Sequence, residues 1–160
     1  MTMDTQTLLT SAAHIGPFSD RAIQEYEAKA DKLVSTINEA MLSRADSKAL
    51  IGAANTQMMK DNHANHARFI LSIMKHYEPE VLVETILWVF RAYRSHGFSS
   101  MYWAAQINAW ISALHEHLEK ENCEQVMPLY TWIQVNIPLF EKLSGQSDGR
   151  RSKDKGRKSD

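Results

Sequence analysis

Seven histidines and one cysteine are the residues of this chain most able to bind a metal or move a proton, and their spacing decides which of those chemistries is open. A di-iron carboxylate site in a helical bundle needs a Glu three residues before a His, so that both reach inward from one helix face. No His here has a Glu at that offset. A zinc protease needs two His four apart with a Glu between them, and His115-Glu116-His117 points its two imidazoles apart. His115 with Glu119 and His117 with Glu121 stand four apart, which reads most simply as charge pairs on an exposed helix end. His63 and His66 are three apart and share a helix face. With a third residue they could hold a metal, or they could serve as hydrogen-bonding polar residues at a helix joint. A haem or another tetrapyrrole needs only one axial His beside an apolar slot, and His66, His76 and His96 each qualify. Cys123 sits near an expected helix start, where a thiol's pKa falls; a small packing residue is the plainer reading.

No glycine-rich phosphate loop, no Gly-x-Ser-x-Gly elbow and no Cys paired with a patterned His occurs, so no nucleophile, base and orienter stand together at motif spacing. The dense aromatic group is the other chemical feature: Trp88, Phe90, Tyr93, Phe98, Tyr102, Trp103 and Trp110. Such a group builds a core, and it equally builds one wall of a pocket for a flat ligand.

Helices must position these residues. Ser19 is a cap candidate before an apolar stripe at Ile23, Tyr26, Ala30, Leu33, Val34, Ile37 and Met41, which predicts a helix over 20–44. A second helical region runs from Asp46 or Ser47 towards Tyr77, with breaks or bends expected at Gly52 and at Asp61-Asn62-His63. Pro79 suits a first helical turn, and Gly97 suits a left-handed cap closing that helix. Between them, residues 81–90 are apolar nearly all round, which predicts a central helix surrounded by the others. Ser99 is expected to cap a helix carrying Trp103, Ile107, Trp110, Leu114 and Leu118. Asn122 with Gln125 forms a capping box for the last helix, which Pro128 and Pro138 should kink or divide.

The fold class expected is therefore all-α: a single bundle of five to six helices, with a globin-like arrangement as one option. Residues 1–18 read as an arm or short helix, 19–144 as the bundle, and 145–160 as a disordered basic tail. Residues 146–160 hold six Lys or Arg against three Asp, a net of +3, which leaves 12 against 16, a net of −4, for the rest. An acidic body offers phosphate backbones no broad attractive face, so sequence-specific nucleic-acid binding is not expected, and only weak electrostatic contacts through the tail are. The single cysteine excludes an internal disulfide, and neither a secretion signal nor a membrane span is legible, which points to a cytoplasmic protein.

Three short stretches carry a resemblance: His66-Ala67-Arg68-Phe69-Ile70, Glu84-Thr85-Ile86-Leu87-Trp88 and Ser95-His96-Gly97-Phe98. Over about residues 66–118 the chain resembles a helical sensory module found N-terminal to cobalamin-binding and related signalling domains in bacterial regulators. That resemblance implies a regulatory protein without enzymatic activity; the Asp-x-His-x-x-Gly motif of the cobalamin domains is absent. The functional expectation is a non-enzymatic sensor that binds a small ligand or a signalling partner, a homodimer included. Its ligand residues would be His66, Phe69, Trp88, Tyr93, His96, Trp103 and Trp110, in a pocket between the 81–96 and 103–118 segments. The alternatives are a haem or metal protein with one axial His, and a protein–protein adaptor.

Overall fold

Ser19 stands where the chain turns from extended to helical, and its Oγ accepts the Ala22 amide at 3.2 Å, relieving one unpaired donor of a helix start. In the computed structural model, which describes the backbone of residues 3–157 and the side chains of residues 3–145, that cap opens α2 (Asp20–Leu42). It follows α1 (Met3–Ala12) and precedes α3 (Ser47–Ile51), α4 (Thr56–Lys75), α5 (Pro79–Arg94), α6 (Met101–His117) and α7 (Lys120–Arg157). Among the described residues there is no strand, so the all-α class holds. None of these helices is long and apolar enough to cross a membrane. The basic tail expected over 145–160 lies beyond the described side chains.

Among the described residues the count is seven rather than five or six, for two reasons. The segment before Gly16-Pro17 is itself a helix, and Gly52, at φ 86°, detaches the five-residue α3 from α4. Gly97, at φ 88°, ends the α5 region in the left-handed conformation that a residue without a Cβ adopts at little cost. The polar run Asp61-Asn62-His63 does not break α4, because Asn62 and His63 are buried and hydrogen-bonded within the bundle. Pro128 and Pro138 both lie inside α7, which continues through them. The capping box expected at Asn122 and Gln125 is also absent. The helix starts earlier, at Lys120, and both side chains reach across to another helix: Asn122 Nδ2 donates to Glu25, and Gln125 Oε1 accepts the Ser19 amide.

Close packing gathers on α2, which meets α4, α6 and α7, and on α7, which also meets α5, α6 and α1; this is not a globin-like arrangement. The largest fully buried side chains are Trp110, Tyr26, Tyr102, Tyr130 and Phe140, and burying one aromatic ring of this kind contributes roughly 2–3 kcal/mol. The expectation of a central 81–90 helix is corrected. Trp88 is 61% exposed and Val81 43%, because α5 packs mainly on α7 and α1 and meets α6 only near its C-terminal end. Its all-round apolar character has two separate causes: Leu82, Val83, Ile86 and Phe90 face the core, while Thr85, Trp88, Val89 and Ala92 face an open cavity.

The α6–α7 turn is held from outside by α2. Glu25 accepts the Glu119 amide and the Asn122 side chain, each at 2.9 Å, and Lys29 donates to the His117 carbonyl. Burial pushes the Glu25 carboxyl upward, yet the hydrogen bonds from Lys29, Asn122 and the Glu119 amide outweigh it and leave the group below its ordinary range. The expected His–Glu charge pairs do not form, since α6 stops at His117 and the two Glu belong to the turn and the next helix. His117 Nε2 instead meets Thr36 Oγ1 at 2.9 Å.

Candidate functional site

Helix α4 supplies the wall that the sequence does not announce. It is packed tightly on α2 but not on α5, and the space left between α4, α5 and the start of α6 is a cavity of about 520 Å³. Six of the seven residues singled out above line it: His66 and Phe69 from α4, Trp88 and Tyr93 from α5, His96 from the following loop, and Trp103 from α6. Trp88 and His96 are exposed and stand at its rim. Trp110 does not line it; the indole lies behind His66, with ring centres 4.5 Å apart, and is fully buried. The 81–96 and 103–118 segments, expected to enclose the pocket between them, meet at one end, where Phe90 stacks on Trp103 at 4.4 Å and Tyr93 meets Trp103 edge-on at 5.8 Å, and α4 supplies the facing wall.

The rest of the lining is apolar: Met58, Ile70, Ile86, Val89, Phe90, Ala92, Ile107 and Ile133, with Asn62, Asn65, Thr85 and Gln106 as the further polar members. No Asp, Glu, Lys or Arg is among the lining residues. Its size falls within the few hundred to one thousand Å³ usual for small-molecule sites, and its makeup, mostly apolar with a few polar groups, is that of such sites.

Behind the wall lies a hydrogen-bonded chain. Tyr26 Oη is 2.8 Å from Tyr130 Oη, which is 2.8 Å from His66 Nε2. Both tyrosines are fully buried. Burial pushes the His66 imidazole down to about 3, the neighbouring His63 adding to the effect, so the ring is neutral at neutral pH. His63 Nδ1 donates to Asn38 Oδ1 at 2.6 Å, its Nε2 lies 3.0 Å from the Tyr102 hydroxyl oxygen, and burial pushes the ring down to about 4. Tyr102 also donates to Asn62 Oδ1 at 2.8 Å, so these polar residues pair with one another inside the bundle.

For an axial histidine, His66 has only Nδ1 free of a partner, and His76 is exposed at the end of α4, away from the cavity. Among the described residues no three of His, Cys, Asp or Glu converge as metal ligands. Cys123 is buried against His115, with Sγ 3.5 Å from Nδ1, and burial, aided by Glu124 and Glu25, pushes its thiol up, away from reactivity. Asn62, Gln106 and the Tyr26–Tyr130 pair are the residues that sequence reasoning passes over. The available signal was a polar atom set into an apolar helical stripe, as Gln106 is between Trp103 and Trp110.

Comparison with protein families, characterised proteins and solved structures found no match to this chain.

Proposed function

We propose that the protein is a non-enzymatic sensory or regulatory helical protein whose signal is a small molecule held in the cavity between α4, α5 and α6. One observation carries the reading: an aromatic, apolar cavity of about 520 Å³ with an exposed indole at its rim. Apolar surface lining an open cavity of this size stays in contact with water unless a guest covers it, and that burial favours binding. The resemblance of residues 66–118 to helical sensory modules of bacterial regulators supports the regulatory half of the proposal.

The test is a titration with N-phenyl-1-naphthylamine, an uncharged fluorescent probe. Saturable one-to-one binding is expected, and Ala92→Trp, which places an indole in the cavity, should abolish it while far-ultraviolet circular dichroism stays unchanged. Equal binding by the folded Ala92→Trp protein would reject the cavity as the site. Native mass spectrometry of protein purified from its own host should show a retained molecule.

A further inference from the structure

The Tyr26–Tyr130–His66 chain has a direction, and that direction fixes what His66 offers to the cavity. Each hydroxyl has one proton. If His66 donated from Nε2, Tyr130 would pass its proton to Tyr26, and the Tyr26 proton would have no acceptor, since Tyr26 is fully buried and Tyr130 is its one hydrogen-bond partner among the described residues. A buried donor left unpaired is disfavoured strongly enough to choose between the two arrangements. The order is therefore Tyr26 O–H to Tyr130, and Tyr130 O–H to His66 Nε2. A neutral imidazole that accepts at Nε2 carries its proton on Nδ1.

That Nδ1 has no partner among the described residues, yet it is not sealed in. Trp110 Nε1 is the buried side-chain nitrogen or oxygen without a partner, and His66 Nδ1 is not another. The cavity that His66 lines is the open space beside the ring. Gln106 gives an independent sign. It is 4% exposed, lines the same cavity, and makes no hydrogen bond among the described residues. It sits one helical turn from Trp110, the indole against which His66 packs. Two polar side chains with unspent hydrogen-bonding groups thus line one cavity. An ion here would lose its hydration with no opposite charge among the lining residues to replace it.

We propose that the cavity selects an uncharged, flat, largely apolar molecule bearing a hydrogen-bond acceptor such as a carbonyl, which it reads through His66 Nδ1–H, with Gln106 as a second polar group of the lining. The inference rests on the ligand-binding reading above and names the class of ligand.

Three probes of nearly one outline test it: 2-acetylnaphthalene, 2-isopropylnaphthalene and 2-naphthoate, titrated by calorimetry into wild-type protein and His66→Phe. Losing the donor should weaken the ketone about threefold to tenfold, the effect of one ordinary hydrogen bond. The hydrocarbon should stay within about twofold, and naphthoate should bind weakest. Equal losses for ketone and hydrocarbon, or tightest binding by naphthoate, would overturn the inference while leaving the cavity as a binding site. No binding of any probe to wild-type protein would overturn the cavity reading itself, and the inference with it. A readout independent of ligand and variant is the long-range proton–nitrogen spectrum of His66 in the wild-type protein. Protonated Nδ1 and bare Nε2 are expected, and the opposite tautomer would overturn the proposal.

Discussion

Tyr130 is the link whose removal is most informative. Tyr130→Phe keeps the ring and its packing but deletes the oxygen that lies 2.8 Å from both Tyr26 Oη and His66 Nε2. It strands two groups: a fully buried Tyr26 hydroxyl and the His66 nitrogen. At about 1–3 kcal/mol for each group left unpaired, the variant should lose about 2–6 kcal/mol. Tyr26→Phe behaves differently, because Tyr130 still donates to His66 and only an acceptor site falls idle; about 1 kcal/mol is expected. The combination decides the matter. Once Tyr130 is Phe, the stranded Tyr26 hydroxyl is a liability, so adding Tyr26→Phe should restore about 1 kcal/mol rather than subtract it, a coupling of about 2 kcal/mol between the two sites. Urea unfolding of the four proteins at neutral pH, followed by circular dichroism with the slope held common, measures this. Additive losses, or a double variant less stable than Tyr130→Phe, would refute the directed chain.

Acidification should destabilise the fold in a defined window. His63 and His66 are held at about 4 and about 3 against an ordinary 6.5, so the unfolded chain binds protons that the folded one refuses; stability is fully present above 6.5 and falls as pH drops through that value towards the folded pKa values. At pH 5, above the carboxylate range, each histidine should have removed about 2 kcal/mol, and a urea midpoint unchanged between pH 8 and pH 5 would contradict the burial of both rings. Gly16→Ala should destabilise by about 1–3 kcal/mol, since its Cβ would come within 2.7 Å of the Tyr77 ring, and a melting temperature equal to wild type would show that the ring moves aside freely. Glu25→Ala should cost about 1–3 kcal/mol by releasing the Glu119 amide and the Asn122 side chain, and faster hydrogen exchange confined to the α6–α7 turn is its expected signature.

The helical class was legible because caps and periodicity agree: Ser19, Pro79 and Gly97 each stand where a helix starts or ends. The aromatic cluster was legible for a local reason. Trp88, Tyr93, His96 and Trp103 lie within sixteen residues of one another, so a single turn between two helices brings them together. The opposite wall was not. The run Asp61-Asn62-His63 looks like a break, and only Tyr102 and Asn38, in other helices, explain how two of its members are buried without interrupting α4. Tyr26 and Tyr130 are 104 residues apart, and each sits in an apolar stripe where the hydroxyl leaves no periodic trace. Trp110 was misplaced because a helical stripe shows which face is buried, not whether that face meets other side chains or an open space.

The gap between α4 and α5 also bears on mechanics. Across it the two helices have no close backbone packing of their own, so an occupant would serve as a splint between segments that pack instead on other helices, α4 on α2 and α5 on α7 and α1. Occupancy would then stiffen the α5 side of the molecule and raise its melting point with guest concentration, by an amount equivalent to about 2.7 kcal/mol at one hundred times the dissociation constant.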